Sequence, residues 1–102
     1  VIDRKTGKVL WTIQADLGFR NNGTCAGGDK LFVIDRLSGA AIKRLEGGKL
    51  DVPESIISCY SLKTGERLWT ANKEIFGTWL SYSEKHDILL ESGRVARDTL
   101  SD

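Results

Sequence analysis

Apolar residues along this chain fall into short runs of strand length, separated by polar turns that contain glycine. Lys8–Ile13 reads as a strand ending near Gln14, and Ala15–Arg20 as a connector. Asn21-Asn22-Gly23 has the chemistry of a turn. Thr24–Ala26 and Leu31–Asp35 read as paired strands around a tight Gly27-Gly28-Asp29 turn, and the unbroken apolar run Leu31–Ile34 predicts a strand covered on both faces. Beyond Asp35 the pattern breaks. Ala40–Leu45 is compatible with a strand or a short helix, Gly47-Gly48 interrupts it, and Pro53 ends any local ladder. Strand patterning resumes at Ile56–Ser61 and Glu66–Ala71, followed by a connector at Asn72–Phe76. Thr78–Tyr82 and Asp87–Glu91 form a last pair around the polar turn Ser83–His86.

Some of these segments are copies of one another. Val1–Trp11 (VIDRKTGKVLW) returns as Cys59–Trp69 (CYSLKTGERLW), with Gly7 and Gly65, and likewise Trp11 and Trp69, standing 58 residues apart. A partial copy, Val33–Gly39 (VIDRLSG), differs from VIDRKTG only at Leu37 and Ser38. Each copy describes a β-hairpin: an apolar segment, a Thr-Gly or Ser-Gly turn where glycine takes a positive φ, and a second apolar segment. Asp3 and Thr6 are placed to bond turn amides, Asp35 is expected to cap a turn likewise, and Trp11 has the area to cover a neighbouring hairpin. The middle copy carries Lys43 where the others have tryptophan, so no docking hairpin is expected there. Ser92-Gly93 repeats Ser38-Gly39 at an offset of 54, which predicts that residues 93–102 begin another excursion like the one after Gly39.

The repeated unit resembles the tryptophan-docking motif A-x-D-x-x-[TS]-G-[KE]-x-x-W of quinoprotein-like β-propellers, the PQQ-type repeat. Val1–Trp11 matches it at Asp3, Thr6, Gly7, Lys8 and Trp11 and departs at Val1. Cys59–Trp69 matches at Thr64, Gly65, Glu66 and Trp69 and departs at Cys59 and Ser61, while the middle copy keeps Asp35, Ser38 and Gly39. The resemblance implies that the motif spans the turn between the third and fourth strands of a blade, with its tryptophan packed on the next blade. The expected fold is all-β, an antiparallel meander forming a partial β-propeller of about two four-stranded blades. Residues 1–14 would end one blade, 22–71 form a blade with an insertion at 36–55, and 77–102 start the next. Trp11 and Trp69 are then expected at equivalent places on outer strands, both largely buried. A blade needs about 40 to 50 residues and a ring at least four blades, so 102 residues that contain no methionine read as a piece of a longer protein. The insertion is the first candidate for a function-bearing segment.

Function follows the resemblance only so far. PQQ-dependent alcohol dehydrogenases share the repeat and are similar to one another in a vicinal cysteine pair, a calcium site of Glu, Asn and Asp, and an Asp base. This chain has no vicinal cysteines and no assignable calcium set. Other members are scaffolds, such as the periplasmic lipoprotein that helps assemble outer-membrane proteins. The expected function is therefore a non-catalytic propeller segment acting as a scaffold or a protein or ligand interaction module, without a cofactor and in a periplasmic or extracellular setting. Its partners would be the remaining blades of the parent propeller and a protein. The alternative is part of a PQQ-dependent quinoprotein oxidoreductase, with PQQ and calcium as cofactors.

Composition narrows the remaining classes. Fifteen basic and fourteen acidic residues give a net charge of +1, with no basic run longer than a pair, so nucleic acid has no electrostatic footprint to meet. No apolar run approaches the length of a membrane span. Cys25 and Cys59 fall in the first and third strands of one blade, about 10 Å apart with a strand between them, which predicts two free thiols. His86, the only histidine, sits in a polar turn. Asn22-Gly23-Thr24 spells a glycosylation sequon but is read as the turn it also encodes. The chain contains no GxSxG, HExxH, phosphate-binding glycine loop or CxxC motif, and no catalytic or metal-binding residue is assigned.

Overall fold

Chain segments 1–75 and 77–93 are described by a computed structural model. Four antiparallel strands, β1 (Phe19–Gly27), β2 (Lys30–Asp35), β3 (Ile56–Ser61) and β4 (Arg67–Ala71), form an open meander in that spatial order. Two further strands, β5 (Trp79–Ser83) and β6 (Ile88–Ser92), pair antiparallel in a second sheet. One helix, α1 (Gly39–Gly47), occupies the excursion between β2 and β3. The excursion expected after Gly93 falls in residues 94–102, outside the described residues.

Register explains the burial. Cys25, Phe32, Cys59 and Trp69 pair directly in one row across the four strands, and Ile34 pairs with Ile57 on the same face two residues on. The β5–β6 sheet covers this face, placing Leu80 in the core with Phe32, Ile34, Ile57 and Cys59, and the Tyr82 ring 4.8 Å from that of Phe32. Residues 1–13 cover the opposite face, where Trp11 lies 6.4 Å from Tyr60. With both faces covered, Phe32, Val33 and Ile34 are all buried, as the unbroken apolar run predicts. The β1–β2 turn has positive φ at both central residues, Gly28 and Asp29, the geometry that suits a two-residue hairpin.

Four expectations are corrected. Asn21-Asn22-Gly23 does not turn the chain. These residues lie inside β1, where the register slips between Phe19 and Thr24, and a Cβ on Gly23 would lie 3.1 Å from Ile34 Cβ, so this glycine permits close packing. Lys8–Ile13 is not a regular strand: Ile2 and Val9 form an isolated bridge, flanked by the bonds Leu10 N–H to Val1 O and Asp3 N–H to Lys8 O. Ser38 and Gly39 do not make a hairpin turn. Ser38 caps α1 instead, its hydroxyl accepting from the Ala41 amide at 3.1 Å. Finally, Trp69 is not largely buried but 41% exposed, on β4 at the edge of the four-stranded sheet, with its ring 6.1 Å from that of Phe32.

Within the insertion 36–55, α1 lies outside the strand-to-strand packing of the sheets, while Arg36 N–H donates to Gly18 O at 3.0 Å and Glu54 accepts from the Asn72 side chain at 3.0 Å. Ala41, Ile42 and Leu45 are half-buried, while Lys43, Arg44 and Lys49 are exposed.

Candidate functional site

The two full repeat copies form turns closed by the same hydrogen bonds. In the first, Gly7 N–H donates to Asp3 O and Asp3 N–H to Lys8 O, both at 2.8 Å, while Lys8 N–H donates to Thr6 Oγ1 at 3.2 Å. In the second, Gly65 N–H donates to Ser61 O and Ser61 N–H to Glu66 O, both at 2.8 Å, while Glu66 N–H donates to Thr64 Oγ1 at 3.2 Å. The glycines take φ of +74° and +77°. Threonine and glycine are needed here for separate reasons: the hydroxyl holds the returning amide, and a Cβ would strain the left-handed backbone. Asp3 Oδ1 additionally accepts from the Lys5 and Thr6 amides at 2.8 and 3.0 Å, and these bonds hold its carboxyl below its ordinary pKa. Ser61 Oγ takes the equivalent bond from Thr64 N–H at a longer 3.4 Å.

What distinguishes the turns is what sits on them. The indole of Trp11 lies flat enough on Gly65 that an added Cβ would come 2.7 Å from Trp11 Cδ2, and its Nε1–H donates to Leu62 O at 2.7 Å. Glycine is therefore required at 65 twice, for its φ and for this approach. The neighbourhood extends the seat: Tyr60 stands beside the indole, and the Arg67 guanidinium, 5.7 Å from the Tyr60 ring centre, donates to its hydroxyl at 3.3 Å. That bond raises the Arg67 pKa. Gly7, by contrast, has open space where a Cβ would be.

The third motif aspartate does different work. Asp35 is buried and its carboxylate accepts three connector amides, Asp16 N–H at 2.7 Å, Leu17 N–H at 2.9 Å and Gly18 N–H at 2.8 Å. Capping of its own turn, expected for Asp35 as for Asp3, is replaced by a clamp on the chain that leads into β1. Sequence spacing held no sign of this, because the partners lie 17 to 19 residues upstream.

A small apolar cleft of about 240 Å³ runs between the N-terminal segment and the sheet, lined by Trp11, Ile13, Phe19, Thr24, Leu31 and Val33 among others. It is smaller than the ~300 to 1,000 Å³ of typical small-molecule sites and has no ionisable side chain in its lining. Cys25 and Cys59 are free thiols with β2 between them, and desolvation pushes both pKa values up, which makes them poor nucleophiles. Tyr82 donates to Asp87 Oδ1 at 2.5 Å, and this bond, ahead of the other causes, pushes its pKa up to about 12. Its ring packs on Gly27 and Gly28 of the β1–β2 turn, a structural contact that joins the two sheets. His86 is exposed, with its own amide bonded to Ser83 Oγ at 3.4 Å. Among the described residues no three His, Cys, Asp or Glu side chains gather as a metal site, and no helix is long and apolar enough to cross a membrane.

No family model matches the chain, and no curated protein or solved structure matches it. Within the molecule, the two full repeat copies meet where the indole of one is seated on the glycine turn of the other.

Proposed function

We propose that the chain is a non-catalytic segment of a β-propeller-like repeat protein, a scaffold that presents its stacked layers to other proteins. The observation carrying this reading is the seat of Trp11 on Leu62 and Gly65, which ties one repeat copy to the next through motif residues. In repeat scaffolds each unit covers the apolar face of its neighbour, and β2 and β3 are covered on both sides in that way. The polar motif groups of Asp3, Thr6, Ser61 and Thr64 bond their own turns, which leaves the glycine surface at residue 65 to take the indole of Trp11. The resemblance to quinoprotein-like repeats adds the propeller arrangement, the remaining blades as partners, and a periplasmic or extracellular setting.

The test is stability. Trp11→Ala should lower the free energy of unfolding in urea by about 2 to 4 kcal/mol, toward the cost of truncating a packed aromatic residue. Gly65→Asn should cost a comparable amount by displacing the indole. Unchanged stability in both variants would contradict the reading.

A further inference from the structure

We propose that the chain binds a second copy of itself head to tail, with Trp69 of one copy seated on the Asp3–Lys8 turn of the next. The proposal deepens the scaffold reading and rests on it, since it treats the Trp11 seat as the rule by which units join. A filled and an empty version of one contact are both present. Trp11 fills the turn at Gly65, whereas Trp69, its equivalent 58 residues on, is 41% exposed and the Gly7 turn is open. The two turns share their hydrogen bonds and their glycine φ, so what accepts one indole has the shape to accept the other. The acceptor equivalent to Leu62 O is Arg4 O.

Strand edges agree with this register. Within the first sheet Lys30 pairs with Ser61 and Leu31 with Tyr60, and Leu62 N–H donates to Asp29 O at 2.9 Å. Moving 58 residues places Ile88 opposite Asp3, Leu89 opposite Ile2, and Arg4 N–H at Asp87 O. Asp29 and Asp87 share the same left-handed backbone, with φ of +60° and +51°, so both turns offer that carbonyl alike. The facing surfaces are apolar and open, with Ile88 58% and Ile2 62% exposed. A single copy cannot make the contact internally. Trp69 lies on the Phe32 face of the four-stranded sheet and residues 1–11 on the Tyr60 face, with the sheet between them. The contact is therefore heterologous and builds open chains or closed rings.

Sedimentation velocity on the full chain and its variants tests this. The parent chain should form concentration-dependent species larger than a dimer. Trp69→Ala, which removes the indole, and Gly7→Asn, which keeps the left-handed backbone but puts a Cβ in the seat, should each be monomeric. Mixed in equal amounts they should give a 1:1 dimer and nothing larger, because only one working indole and one working turn remain. Trp69→Phe keeps a ring against Phe32 but lacks the N–H, and should weaken assembly about tenfold without disturbing the sheet. A parent chain that stays monomeric, single variants that assemble like it, or a mixture that stays monomeric while both variants keep the parent circular dichroism, would overturn the proposal. Trp11→Ala separates the two levels. If it leaves stability unchanged, the docking-unit reading itself fails; if it destabilises while assembly ignores Trp69, only the head-to-tail contact fails.

Discussion

Asp35 and Asp3 occupy the same place in two copies of one motif and act differently, which marks how far a residue's role can be read from its neighbours in sequence. Asp3 bonds the two amides that follow it, a role its position between an apolar segment and Thr-Gly makes legible. Asp35 is buried and reaches back to residues 16–18, which only the folded chain brings near. Replacing Asp35 with Asn leaves a donor facing one of three amides, and should destabilise the fold by about 2 kcal/mol in urea. Asp3 carries a pH dependence of known sign. Its folded pKa lies below the ordinary 3.8, so its contribution is complete above that value and is lost as pH falls through the lower folded pKa. The amide signals of Lys5 and Thr6 should therefore shift together below about pH 4, and neither should move if the carboxylate is not their acceptor.

Among the elements, the strands of the meander were legible to within a residue or two from Thr24 onward, because apolar runs and positive-φ turns both mark them. The errors have physical sources. Gly23 resembles a turn glycine, yet its lack of a Cβ serves packing against Ile34. Ser38-Gly39 resembles the hairpin turns, yet the residues after it, Ala40 to Leu45, have helix-forming side chains and no strand partner, so the serine becomes a cap. The repeat predicts cover for Trp11 and Trp69 alike, yet Trp69 is 41% exposed, because burial belongs to the partner surface and not to the motif. Ser38→Ala should cost α1 about 1 kcal/mol. Since α1 stands off from the sheets, the loss should appear as reduced helical circular dichroism with the β1–β4 amides still protected from exchange. Simultaneous loss of sheet protection would show the insertion to be part of the core.

At the scale of the whole molecule, three layers cover one another: the N-terminal hairpin, the four-stranded sheet and the β5–β6 pair. The repeat offset of 58 marked the two copies, and the residues that join them, Trp11, Leu62 and Gly65, include two of the motif positions singled out from sequence. Leu62 was missed because it contributes a backbone oxygen, for which side-chain identity is no guide. Against the quinoprotein alternative, equilibrium dialysis with PQQ and calcium should show no saturable binding, and calcium-dependent saturation would move the reading to an oxidoreductase. The central claim, that an indole on a glycine turn joins the units, is open to direct view in the hydrogen exchange of the three tryptophan indoles at high dilution. Trp11 Nε1–H, bonded at 2.7 Å, should exchange far more slowly than that of Trp79, which is 52% exposed, and Gly65→Asn should abolish its protection. A Trp11 indole that exchanges as fast as that of Trp79, or one whose protection survives Gly65→Asn, would contradict the account.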